Sequence, residues 1–281
     1  MQLLLLSAVW GSSFLFIDLA LTDFSPFLVA FGRISLASIF LLFVVFFKKL
    51  KFPKDTKSWF ILILAGILNN AIPFYLISWG QQYISGSTAA IMLSFGPFIA
   101  LILSHFTTHD EKFSIYKLLS VALGFMGVLI LLGGDIVSKN SDALFGQLAV
   151  LLATVGYITS GLLIRKLGKI NTIVCSTSML LTGTLVMIPF IPINELLNIK
   201  VINLSTYSVV YLALLPTAIA SLFRVRLVQN VGIQFMSQVA YLIPIFAIFW
   251  SWIFLDEIPK LLAWIALSLI LSGLYIRKIK N

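Results

Sequence analysis

Residues 82–97, Gln-Tyr-Ile-Ser-Gly-Ser-Thr-Ala-Ala-Ile-Met-Leu-Ser-Phe-Gly-Pro, and residues 229–244, Gln-Asn-Val-Gly-Ile-Gln-Phe-Met-Ser-Gln-Val-Ala-Tyr-Leu-Ile-Pro, decide how this chain is read. Each opens on a glutamine and closes fifteen residues later on a proline, Gln82 to Pro97 and Gln229 to Pro244, with 147 residues between the copies. The acidic pair Asp110 and Glu111 returns as Asp256 and Glu257, and Gly127 returns as Gly273. One pattern is therefore stated twice. If each half crosses a membrane an odd number of times, its copy sits upside down in the bilayer, and inverted repeats are the architecture of many secondary transporters.

Composition supplies the membrane. With 60% apolar and 10% charged residues and a mean hydropathy of +1.08, the chain has more apolar surface than a water-soluble domain can hide. The apolar runs exceed the 9 to 11 residues of a membrane strand, so an all-α polytopic protein is expected rather than a β-barrel. Ten spans are expected, at about residues 3–20, 26–47, 59–79, 87–106, 116–132, 144–164, 172–191, 207–223, 234–255 and 261–276. They divide into two inverted five-helix repeats, 1–137 and 138–281. Met1 to Ala8 lacks a basic leader and a cleavage site, and reads as part of a retained first span.

Charge sets the orientation. With the amino terminus inside, inner loops and tail hold fifteen Lys and Arg, including Lys48 to Lys57, Arg224 and Arg226, against three outside, at Lys139, Lys200 and Lys260. That imbalance places both termini in the cytoplasm. The net charge of +9 is thus a topology signal, and no nucleic-acid partner is read from it. Cys175, alone in an apolar run, reads as a buried structural thiol.

Four prolines fall near the middle of spans, Pro73 and Pro97 in one half and Pro216 and Pro244 in the other. Proline removes a helix hydrogen bond, which in lipid is tolerated where protein or a wet cavity satisfies the freed carbonyl. These are the candidate kinks and hinges around a midplane site. Gln234, Ser237, Gln238 and Tyr241, spaced i, i+3, i+4 and i+7, form a polar face on span nine. Asn69 and Asn70 lie one turn before Pro73. Arg33 lies about 12 Å into span two and is read as the one basic residue well inside a span. It is a candidate anchor for a substrate carboxylate or half of an ion pair with Asp18. Trp10, Tyr75, Tyr157 and Tyr241 are candidate aromatic walls, with packing as the alternative for each. His105 and His109 stand four apart beside Asp110, but in a short surface loop, so no metal site is expected. Neither nucleophile motif nor phosphate-binding glycine loop is present, so no enzyme and no cofactor are expected.

The segment Ala8-Val9-Trp10-Gly11-Ser12-Ser13-Phe14, the Pro26 to Arg33 segment with small residues after it, and the Pro97 and Pro244 segments with their acidic pairs resemble the drug/metabolite transporter superfamily, specifically its ten-helix EamA-type permeases. The resemblance covers essentially the whole chain. It implies alternating access around a central cavity lined by spans three, four, eight and nine with parts of one and six, with spans five and ten peripheral. No carboxylate stands at mid-depth in any span, so protons remain a candidate coupling ion without an assigned carrier. The expected function is a bacterial inner-membrane permease for a small polar or amphipathic, amino-acid-like metabolite, working in the export direction. A passive small-solute channel and a non-transporting membrane accessory subunit are the alternatives.

Overall fold

Side-chain caps mark where the apolar helices begin. Ser25 accepts the Leu28 N–H at 3.4 Å and Pro26 occupies the first turn of α2 (Pro26–Phe47), a place where a missing N–H costs nothing. Asp55 accepts the Ser58 N–H at 2.8 Å to open α3 (Thr56–Gly66). Ser85 does the same for Thr88 at the start of α5 (Gly86–Leu93), and Asn203 for Thr206 at the start of α10 (Leu204–Leu212).

A computed structural model describes residues 2–107 and 141–278, apart from 169, 198–202, 238, 257, 259 and 260, together with scattered positions between 115 and 130. The remaining helices are α1 (Gln2–Leu21), α4 (Ile72–Gly80), α6 (Gly96–Thr107), α7 (Ser141–Lys166), α8 (Thr172–Met187), α9 (Ile193–Leu197), α11 (Ala220–Val231), α12 (Ile233–Ser237), α13 (Val239–Leu255) and α14 (Leu261–Lys278). Among the described residues, eight helical stretches are long and apolar enough to cross a membrane, and α14 adds a shorter apolar one. The chain is an all-α polytopic membrane protein. Most of the expected fifth span, with His109, Asp110 and Glu111, lies outside the described residues, as does the side chain of His105.

Two of the spans are widened mid-membrane. A π-type turn, Ile67–Ala71, joins α3 to α4, with the Ile72 N–H reaching back five residues to the Ile67 carbonyl. A second, Ala213–Ile219, joins α10 to α11 and contains Pro216, with the Ala220 N–H reaching the Leu215 carbonyl. Each loosens the ladder beside a proline, since Pro73 follows the first turn at the start of α4. The fourth span is broken rather than bent. α5 ends at Leu93 and α6 begins at Gly96, so Pro97 sits in a first helical turn, where its ring is accommodated. Pro244 lies inside α13.

Packing brings the kinks together. α1 lies against α10 and α13, while α7 lies against α3, α4, α5 and α6, and α2 lies against α8. Small residues allow the approach. A Cβ on Gly156 of α7 would stand 2.7 Å from the Leu68 carbonyl in the first π turn, so only glycine lets α7 press on that turn. Some buried hydroxyls are satisfied within their own helix, Thr154 on the Val150 carbonyl and Ser12 on the Val9 carbonyl, each at 2.8 Å, whereas those of Ser78, Ser178 and Ser251 have no partner. Outward-facing Phe43, Phe47, Trp252 and Phe254 are more than half exposed, which suits a surface bathed in lipid.

The glutamine that ties the first repeat motif to its surroundings is Gln81, not Gln82. Gln81 is buried and donates to the Phe14 carbonyl at 3.0 Å and to Asp18 at 2.6 Å, whereas Gln82 is exposed. Its counterpart Gln229 donates to the Ile170 carbonyl at 3.0 Å and accepts from Thr172 at 3.2 Å.

Candidate functional site

Both π turns, with α1, α7 and α12, line a cavity of about 130 Å³. Its floor and walls are mostly apolar, with Phe14, Ile17, Ile77, Leu93, Ile158 and Ile243 among them. The polar groups come from the kinked elements. Asn69 and Asn70 belong to the first π turn, Pro216 and Thr217 to the second, Ser221 and Arg224 to α11 and Ser237 to α12. Trp10 and Ser13 of α1, Arg33 of α2, and Thr154 and Tyr157 of α7 complete the lining.

The Trp10 indole N–H donates to the Pro216 carbonyl at 2.9 Å, so α1 supplies a partner at the widened turn. Arg33 is 3% exposed. Its Nε donates to Thr217 Oγ1 at 3.0 Å and its guanidinium lies 3.8 Å from the centre of the Phe74 ring, a cation–π contact. The expected ion pair with Asp18 does not form. Asp18 lies near the far end of α1 and accepts from Gln81, while Arg33 turns inward to Thr217. Asp18 stands in the last turn of α1 and Arg33 about two turns into α2, so the two differ in depth, and the second π turn offers Arg33 an acceptor at 3.0 Å.

Arg224 is the larger correction, because its place near the end of an apolar run reads as an inner loop. The span runs on through Val231, lengthened by the π turn, so Arg224 sits 6% exposed within it. One guanidinium nitrogen, Nη2, donates to the Tyr157 carbonyl at 2.8 Å, and the other, Nη1, is buried with no hydrogen-bond partner. Arg33 is therefore not the one basic residue inside the bundle. A signal was available. Ala220, Arg224 and Val228 are spaced by four and share one buried face, and apolar residues resume at Val225.

Two buried arginines are costly. By membrane-insertion scales each costs about 2.5 to 3.5 kcal/mol at a helix centre, and among the described residues no Asp or Glu lines the cavity to offset them. Tyr157 stands within electrostatic reach of both guanidiniums. The Asn69 amide donates to Asn70 Oδ1 at 2.8 Å, which leaves Asn69 Oδ1 and Asn70 Nδ2 buried without partners. Groups left so are places where a ligand or water completes the hydrogen bonding. A side void of about 10 Å³, near the size that admits one water, opens beside Asn69, Asn70, Ser221 and Arg224.

Of the residues singled out from sequence, Trp10, Arg33, Asn69, Asn70, Tyr157, Pro216 and Ser237 meet at this cavity. Tyr75 does not line it. It is 38% exposed and packs edge-on to Phe27 at 6.3 Å. Gln238 lies outside the described residues, as do the side chains of Gln234 and Tyr241. Pro73 packs beside Gly156, one helix face away from the cavity lining.

A multi-span bundle with wide turns meeting at a polar-studded central cavity is the build of a small-molecule transporter, and comparison with known proteins agrees. The EamA-like transporter family model matches residues 1–133 and again 144–277. The chain belongs to that family, and is accordingly a membrane transporter of small molecules rather than an enzyme. It is similar to YdfC, an uncharacterised transporter of Bacillus subtilis, with 28% identity over 92% of this chain and 84% of that one. A probable terminal-alkyne amino-acid exporter of Streptantibioticus cattleyicolor is 23% identical over 96% of this chain and 90% of its own. An S-adenosylmethionine/S-adenosylhomocysteine transporter of Chlamydia muridarum is 28% identical over 89% and 81%. A solved crystal structure superposes with a TM-score of 0.70 at 15% identity, covering 98% of this chain and 94% of that chain, a likeness of fold.

Proposed function

We propose that this transporter is a bacterial inner-membrane permease that exports a small polar or amphipathic, amino-acid-like metabolite by alternating access. Two inverted five-helix repeats, 1–137 and 138–281, with both termini cytoplasmic, rock about the cavity. The packing pattern supports the inversion, because the main contacts across the halves have exchanged counterparts: α1 on α10 and α13 answers α7 on α3–α4 and α5–α6, and α2 on α8 is its own mate. The pairing of the π turns at Ile67–Ala71 and Ala213–Ile219 supports it too.

The observation that carries the reading is the cavity itself, apolar on most sides and studded with buried polar groups from both halves. Arg33 suits a ligand carboxylate, the amides and hydroxyls suit its other polar groups, and Trp10, Phe74 and Tyr157 suit its apolar body. Export and a proton partner come from family likeness, and the exporter among its relatives is in keeping with the direction. Because the substrates named for its relatives differ, the ligand must be read from this cavity. A thermal-shift screen of the purified protein against a metabolite library, followed by flux of the hits in liposomes, tests the proposal. Saturable flux with counter-exchange is expected; flux that rises linearly with concentration would make the protein a channel instead.

A further inference from the structure

The charge of the cavity goes further than its polarity. Arg33 from the first half and Arg224 from the second both line it, each buried, and no carboxylate lines it among the described residues. The one acid on α1, Asp18, already accepts from Gln81 just past the end of α4. Among the side chains that line the cavity, the hydrogen-bond inventory leans the same way: Arg224 Nη1 and Asn70 Nδ2 are buried donors without partners, against one orphan acceptor, Asn69 Oδ1. Arg33 spends its Nε on Thr217, which leaves its outer N–H groups for something else.

We infer that the cavity selects a net-negative organic metabolite, a dicarboxylate or an acidic amino acid, whose acid groups are shared between Arg33 and Arg224. This rests on the transport reading above and narrows its substrate class. A zwitterion carries one acid group and would leave the cavity with surplus positive charge; a cation would add to it. In a low-dielectric chamber like charges repel strongly, whereas a net anion relieves both desolvated guanidiniums at once. Asn69 Oδ1 then accepts from an N–H or O–H of the ligand, which an acidic amino acid provides. The apolar wall formed by Phe14, Ile17, Ile158 and Ile243 takes the carbon chain between the acid groups.

The test works before the physiological substrate is identified. Ser221, which lines the cavity close in sequence to Arg224, is replaced as Ser221→Cys in a full-length Cys175→Ser background. Its rates with an anionic and a cationic methanethiosulfonate of similar size are each normalised to their rates with 2-mercaptoethanol, a thiol with no other charged group. The anionic reagent is expected to be favoured at least about tenfold. Adding Arg224→Gln, which keeps an N–H for the Tyr157 carbonyl but removes the charge, should cut that preference severalfold, and Arg33→Gln serves equally if Arg224→Gln does not fold. Glutarate and glutamate should protect the cysteine, and glutamine and 1,5-diaminopentane should not. Reaction without anionic preference, or protection by glutamine equal to that by glutarate, overturns the anion assignment and leaves the transport cavity standing. No reaction with either reagent means the chamber is closed to solutes, and overturns the transport reading along with it.

Discussion

At Arg33 the geometry separates function from folding. Its Nε is held by Thr217 and its face by Phe74, so Arg33→Lys keeps a charge but loses the planar stack and the fixed N–H. Transport by Arg33→Lys is expected to fall at least about tenfold while yield and melting temperature stay near wild type; equal losses of yield and flux would reduce Arg33 to a structural charge. Trp10→Phe removes the donor to the Pro216 carbonyl, and an orphaned buried acceptor costs about 1 to 3 kcal/mol. A lower melting temperature with the fold intact is expected, and an unchanged one would show that water takes over the bond. Arg33, Asn69, Asn70 and Trp10 were legible as cavity-lining residues because a polar or aromatic group stood out in an apolar run. Arg224 was not, since a charge near the end of an apolar run looks like the end of the span, and the five-residue reach of the π turn has no composition signature. Partners across the fold were hidden too: nothing in sequence distinguishes Thr217 from Asp18 as the acceptor for Arg33.

At the scale of helices, the eight long spans among the described residues were readable from apolar length, but not all their starts: the caps at Asp55 and Asn203 open two helices at Thr56 and Leu204, ahead of the expected 59 and 207. Their irregularities were only half readable. Proline announced a disturbance near residues 73 and 216, but whether it produces a bend, a break or a widened turn depends on what packs alongside. Gly156 is that neighbour for the first turn. Gly156→Val would drive a side chain into the Leu68 carbonyl, at an expected cost of about 1 to 3 kcal/mol from overpacking, and would displace Asn69 and Asn70 with it. Loss of transport exceeding loss of folded protein is expected; full activity would show that α7 can yield without moving the turn. Pro216→Ala restores an N–H and lets the second turn tighten toward a regular helix. Thermal stability equal to or above wild type, with severalfold slower flux, is expected, and unchanged flux would remove the widened turn from the transport cycle.

For the whole molecule, the duplicated motif and the basic-residue imbalance together propose inversion, and paired packing around α2 and α8 supports it. Single cysteines in a Cys175→Ser background should be labelled by an impermeant maleimide on intact cells at Asp256 but not at Lys51. Labelling of Lys51→Cys from outside would remove the inverted-repeat account. On the proposed mechanism, residue, element and topology meet in one chamber reached in turn from each side of the membrane. The most direct measurement places a cysteine at Ser13, a cavity-lining residue of α1, and follows its reaction with a charged, impermeant thiol reagent in right-side-out and inside-out vesicles. Reaction from both sides is the result predicted; reaction from one side alone, under every ligand condition that supports flux, would contradict alternating access.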